Sequence, residues 1–187
     1  MTWPYVVHAW EQLNVPEGWS VARMTREEIR IFPVAGVLHD QICSEVSRRF
    51  AEEPGDEFGC AETGFATVLA GEGFFVPDLC VLRQAALRGR GAGAPMRACD
   101  VVAEITMPET APNDRTKKWR AYARGGVPQY LLIDPYDPGG PTSTLFTDPA
   151  RDGYRDSERV PFGGRISLLD PVPLLIDTGA FPFPDEC

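Results

Sequence analysis

The sequence predicts one α/β domain, and three observations carry that reading. Leu38, Ile42, Val46 and Phe50 recur every four residues, the apolar stripe of an amphipathic helix. Short apolar runs at 73–82, 100–106 and 127–133 have strand length and are bounded by Gly, Pro or Asp. At 187 residues the chain suits a single core, and no internal repeat or second domain interrupts residues 1–187.

Each element can be justified in order. Residues 1–19 contain two prolines and an irregular, Trp-rich pattern, with at best a short helix near Val6–Leu13. Ser20–Phe32 fits either a hairpin or a short helix: Thr25-Arg-Glu-Glu28 resembles a helix start, while Ile29–Val34 looks extended. Val37–Ala51 is the clearest early helix, ended by Pro54-Gly55-Asp56. His39 lies beside its stripe and reads as a core-edge or helix-start histidine rather than a ligand. Strands are expected at Thr63–Leu69, Gly73–Leu82 and Asp100–Thr106, with a mobile glycine-rich loop, GRGAGAP, between the last two. That loop lacks the Lys-Ser/Thr ending of a phosphate loop. Asn113–Arg124 reads as a helix closed by Gly125-Gly126, and Val127–Ile133 as a strand closed by Asp134-Pro135. Two or three final strands, Ser143–Thr147, Tyr154–Val160 and Arg165–Leu169, are expected to complete a sheet. The apolar, Pro-rich tail Pro171–Pro184 is a candidate cover for a partner surface, which leaves room for a homodimer.

Composition excludes several classes. A formal charge of −9 argues against a protein that coats nucleic acid non-specifically. Basic residues nevertheless cluster: Arg83, Arg88, Arg90 and Arg97 in one acid-free stretch, Arg115, Lys117, Lys118, Arg120 and Arg124 in another. The five cysteines are scattered without a C-x-x-C pair, against a zinc site; Cys43 and Cys80 sit among apolar residues and read as buried thiols, and Cys187 as an exposed one. No apolar run is long enough to span a membrane, and the N-terminus lacks the basic start and cleavage site of a signal peptide. The expectation is a cytoplasmic protein.

Two acids and a lysine carry the chemistry. Asp78 interrupts the apolar run FFVPDLCVL, where alternation groups it with Cys80 and Leu82. Glu104 interrupts DVVAEIT, sharing a face with Val102 and Thr106. A carboxylate in so apolar a segment is costly unless it is paired or binds a cation. Two of them on neighbouring strands can hold a hard cation through oxygen. The chain has two lysines, Lys117 and Lys118, against sixteen arginines, and both fall on the helix after the Glu104 strand. Keeping lysine there suggests a need for a compact ammonium charge.

These residues fall into an ordered set: Pro77-Asp78; Val102-Ala-Glu104-Ile followed by Pro108; Asp114-x-x-x-Lys118-x-x-x-Tyr122; and Gly126-Val127-Pro-x-Tyr130-Leu-Leu-Ile-Asp134-Pro135. The set resembles the Uma2 (DUF820) family of restriction-endonuclease-like proteins, in the PD-(D/E)xK nuclease superfamily. The resemblance spans about 15–176 and is strongest over 76–135. It implies a restriction-endonuclease-like core, a mixed central β-sheet flanked by helices. It also implies an endonuclease hydrolysing DNA with Mg²⁺ or Mn²⁺, in which Asp78 and Glu104 bind the metal, Ile105 offers its main-chain carbonyl, and Lys118 acts in catalysis. The usual lysine two residues after the acid is absent, since Thr106 stands there; Lys118 matches the lysine displaced to the next helix. Tyr122 would support that helix, and Asp114 suits a position near its start. At the front end Glu28, Pro33 and His39 match, without the family's glycine. The implied mechanism requires no histidine.

Two alternatives remain from the residues alone. A catalytically inactive interaction or regulatory protein on the same fold suits the acidic charge and the lack of a separate DNA-reading domain. A carboxylate-pair glycosidase would use two acids but gives Lys118 no task.

Overall fold

A computed structural model describes residues 8, 12–25, 29–33, 35–52, 58–62, 66–69, 73–87 and 93–184. The expected helix near Val6–Leu13, the Glu28 position, Arg88, Arg90 and Cys187 lie wholly or largely outside these residues.

The first described strands, β1 (Trp19–Thr25) and β2 (Ile29–Pro33), pair antiparallel, so the described part of 20–32 is extended. Helix α1 (Val37–Glu52) follows, then β3 (Phe58–Glu62), β4 (Ala66–Leu69), β5 (Gly73–Phe75) and β6 (Leu79–Arg83). A single helical turn, α2 (Gln84–Leu87), leads towards β7 (Gly93–Pro95), a 3₁₀ turn (Met96–Ala98) and β8 (Cys99–Ile105). Three consecutive segments, α-helical Ala111–Asn113, π-helical Asp114–Lys118 and α-helical Trp119–Arg124, form α3. Strands β9 (Gln129–Asp134), β10 (Thr142–Ala150), β11 (Gly153–Pro161), β12 (Arg165–Leu168) and β13 (Leu174–Asp177) complete the order.

A six-stranded sheet in the order β11-β10-β9-β8-β6-β3 forms the centre. Its one parallel pair is β8 with β9, a pairing that requires a crossover, and α3 supplies it. That connection places α3 over the strand bearing Glu104. Period-two alternation then sorts the two faces. Leu79, Val81, Val101, Ala103, Ile105, Leu131 and Ile133 face the α1 stripe of Leu38, Ile42, Val46 and Phe50. Cys80, Leu82, Val102, Tyr130 and Leu132 face Ala121, Tyr122 and Ala123 of α3. Ile42 and Val46 are fully buried, and truncating a residue such as Ile42 to Ala would cost about 2–5 kcal/mol.

Three expectations are corrected, and the number of final strands in the central sheet, left open above, is decided. The run 73–82 is two strands: Pro77 has no N–H to donate to a ladder, so the chain bends at 76–78 and passes from the five-stranded sheet (β2-β1-β5-β4-β7) to the central one. The end of the GRGAGAP segment is ordered, because β7 pairs in parallel with β4. Strand β12 leaves the central sheet and pairs with β13. The tail covers its own chain: Val172, Leu174, Ile176 and Phe181 are buried in the α1-side core. Cys80 is buried as expected, whereas Cys43 is half-buried. Among the described residues, no helix is long and apolar enough to cross a membrane.

Candidate active site

At the end of the sheet where β6 begins and β8 ends, the bend at 76–78 brings Asp78 beside β8. The Ile105 amide donates to Asp78 Oδ2 at 2.7 Å, so the residue following Glu104 anchors the other acid. His39 Nε2, from α1, lies 3.2 Å from the same oxygen. The Asp78 side chain retains 20% of its exposure, which leaves an edge open to solvent.

Glu104 is held from the opposite layer. Lys118 Nζ donates to its Oε2 at 2.7 Å, and the Tyr122 hydroxyl donates to its Oε1 at 2.5 Å. Both donors ride on α3, one turn apart. Lys118 Nζ also lies 3.3 Å from Asp114 Oδ1 and 3.4 Å from the Val76 carbonyl. The π-helical turn Asp114–Lys118 carries both members of that pair; such turns recur at functional sites. The turn is fixed at both ends. The Tyr130 hydroxyl donates to the Asp114 carbonyl at 3.1 Å. Arg115 grips Asp134 with two bonds, Nε to Oδ2 at 2.7 Å and Nη2 to Oδ1 at 3.0 Å. At the far end Gly126 takes φ +76° to end the helix, and a Cβ on Gly125 would lie 2.2 Å from Met96 Sδ.

Charge is unbalanced in this pocket. Burial pushes Glu104 well above the usual carboxylate range, and the charges of Asp78 and Asp114 add to it against the pull of Lys118. Burial also raises Asp114, again against Lys118. For Asp78 burial acts upward, but the His39 bond and charge, the field of Lys118 and the Ile105 amide outweigh it, and the carboxyl falls below its ordinary value. Burial lowers His39, yet its bond and attraction to Asp78, then Asp40, raise it overall. Burial likewise lowers Lys118, while Asp114, Glu104 and Asp78 together hold it firmly as an ammonium. Tyr122 is raised by burial and by the adjacent Glu104, so it remains a hydrogen-bond donor.

Two carboxylates thus contact one ammonium and a third, Asp78, acts on it through its charge, and the available donors are oxygen. That surplus negative charge, with one partly open carboxylate, fits a hard divalent cation. Among the described residues, no three His, Cys, Asp or Glu side chains are arranged to hold a metal ion. A cation at Asp78 and Glu104 would therefore complete its shell with main-chain oxygen and water.

Of the residues singled out in the sequence, Glu104 and Lys118 touch, Asp78 is joined to them through Ile105, and Ile105 contributes its amide to Asp78. Sequence reasoning missed four partners. His39 is a buried partner of Asp78, and Asp114, read as a helix-start residue, is buried beside Lys118. Tyr122 bonds the acid itself. Asp134 also accepts from Thr106 Oγ1 at 2.7 Å, which links the end of β8, through Arg115, to the turn bearing Lys118. The spacing Asp114, Lys118, Tyr122 was the available signal, since i, i+4, i+8 share one helix face. Within the basic cluster 115–124, Arg115 is bound to Asp134 and Lys118 is buried, while Lys117, Arg120 and Arg124 are exposed.

The fold and family follow from comparison with known proteins. A crystal structure described as that of "a putative nuclease belonging to DUF820" from Anabaena variabilis superposes with a TM-score of 0.66 at 17% identity, covering 87% of this chain and 88% of that one. No curated protein matches the chain. The Uma2 family model, described as "Putative restriction endonuclease", matches residues 7–179, and the chain belongs to that family.

Proposed function

We propose that this chain is a metal-dependent endonuclease that hydrolyses DNA phosphodiester bonds, with Asp78, Glu104 and Lys118 as its active site. The observation that carries the proposal is the buried Lys118–Glu104 ion pair, 2.7 Å long, beside a partly open Asp78. A structural ion pair in a core does not need a second carboxylate at the same ammonium and a third within its field; a site that handles a polyanion and a cation does.

Asp78 and Glu104, with the Ile105 main-chain carbonyl, would hold Mg²⁺ or Mn²⁺. Bound there, such an ion would polarise a phosphoryl oxygen and make water more acidic. The chain's own residues do the rest. His39 and the Ile105 amide orient Asp78. Tyr122 fixes the Glu104 rotamer through one oxygen, leaving the other to Lys118. The Lys118 ammonium supplies fixed positive charge next to the acids, where it orients the attacking water or offsets charge that develops on phosphorus. Preorganised charge of this kind is worth several kcal/mol of barrier in a desolvated site, on the order of 10²–10³ in rate.

The test is cleavage of duplex and single-stranded DNA with Mg²⁺ or Mn²⁺, alongside metal uptake by calorimetry. Wild type should cleave only with metal, Asp78→Ala should lose uptake and cleavage, and Lys118→Met should bind metal yet cleave at least ~100-fold more slowly. A folded, metal-loaded chain that leaves DNA and other nucleic acids intact would refute the proposal. Absence of metal uptake would favour a non-catalytic interaction protein on this fold.

A further inference from the structure

Resting on the metal-site reading above, we propose that Asp114 is a positioning residue for Lys118, a second carboxylate that keeps the ammonium paired when Glu104 turns to a divalent cation. The acceptors around Lys118 Nζ differ in quality. Glu104 Oε2 lies at 2.7 Å, while Asp114 Oδ1 lies at 3.3 Å and the Val76 carbonyl at 3.4 Å. Asp114 Oδ1 is buried and within ion-pair distance of the ammonium, without the geometry of a good hydrogen bond. It is an acceptor held in reserve beside an ammonium whose shortest bond goes to Glu104.

That arrangement has a use once Glu104 binds metal. A divalent cation at Glu104 competes with Lys118 for the same negative charge and repels the ammonium, and a buried ammonium that loses its nearest counterion is strongly unfavourable. Asp114 sits four residues earlier on the same helix, so the two side chains move as one unit. Its turn is pinned by the Tyr130 hydroxyl and by Arg115 on Asp134. A small swing of Nζ exchanges the Glu104 bond for one to Asp114 without moving the backbone.

The chain's two lysines make the test direct, because Lys117 is exposed and Lys118 is buried. In metal-free protein, ¹⁵N NMR should show one Lys Nζ ammonium protected from exchange with water. Glu104→Leu imitates the withdrawal of Glu104 by removing both its charge and its acceptor oxygens. The protected signal should persist in Glu104→Leu and disappear in Glu104→Leu/Asp114→Leu. Its loss in Glu104→Leu, or its survival in the double variant, overturns the assignment; if the double variant does not fold, Glu104→Leu alone decides. With Mn²⁺ as the probe in calorimetry, Asp114→Asn should weaken binding roughly tenfold, and should have no effect when Lys118 is already Met. Weakening that persists in the Lys118→Met background means Asp114 acts on the metal itself, which contradicts a positioning role. A wild-type chain that takes up no Mn²⁺ defeats the metal-site reading, while the lysine signal still decides whether Asp114 holds Lys118.

Discussion

The Ile105 amide donates to Asp78 at 2.7 Å, which ties the residue after one acid to the carboxylate of the other across the end of the sheet. Because Ile105 sits between a side chain buried against α1 and a main chain aimed at Asp78, it couples core packing to site geometry. Asp78 therefore depends on two donors from different elements, the Ile105 amide and His39.

Removing one of them tests that dependence. His39→Ala should leave Asp78 with the amide alone and weaken Mn²⁺ binding by about 10–100-fold, the usual effect of losing a residue that orients a metal ligand. Calorimetry reads the affinity, and thermal denaturation should show a fold still intact but about 1–3 kcal/mol less stable.

The Asp134 network should matter more to stability. Asp134→Ala strips partners from Arg115, from Thr106 and from the Tyr136 amide at once. Arg115 is partly exposed, so its loss is softened by water, and the cost should be about 2–4 kcal/mol. A drop of roughly 5–10 °C in Tm would match that estimate. Cleavage should fall as well, since Arg115 belongs to the turn that presents Lys118.

A packing prediction concerns the far side of α3. Gly153 has φ +147°, and a Cβ there would lie 1.9 Å from the Trp119 ring. Gly153→Ala should destabilise by about 2–4 kcal/mol, measured by denaturant unfolding, through overlap and backbone strain together. Adding Trp119→Leu should recover part of the loss; full retention of stability in Gly153→Ala would contradict the packing described.

Asp177 offers a pH test away from the site. The Gly179 amide and Arg165 hold its carboxyl below the ordinary aspartate value of 3.8. A depressed folded value means the contribution is present above pH 3.8 and is lost as the pH falls through the lower folded value. Asp177→Asn should therefore lower Tm near neutrality and lose that difference in strong acid, as followed by thermal melts against pH.

The α1 stripe, the β8 and β9 strands and the helix after them were legible in the sequence because periodicity and terminating glycines report local physics. The split at Pro77 was missed because an apolar run looks alike whether one sheet or two receive it. Whether two or three final strands join one sheet stayed open, because pairing partners are not written in alternation; β12 pairs with β13. The anomaly of an acid in an apolar strand singled out Asp78 and Glu104, and scarcity singled out Lys118; the structure brings Lys118 against Glu104. The roles of His39 and Asp114 stayed hidden: His39 meets Asp78 from a different layer, and the burial of Asp114 depends on how the π-helical turn rotates it inward.

The most direct measurement is a crystal structure of the wild-type chain grown or soaked with Mn²⁺ and phased to reveal anomalous scattering. An anomalous peak bounded by Asp78 and Glu104, with Lys118 still beside them, is the predicted result. A peak elsewhere, or none while the Lys118–Glu104 pair persists unchanged at saturating Mn²⁺, would contradict a metal-dependent site at these residues.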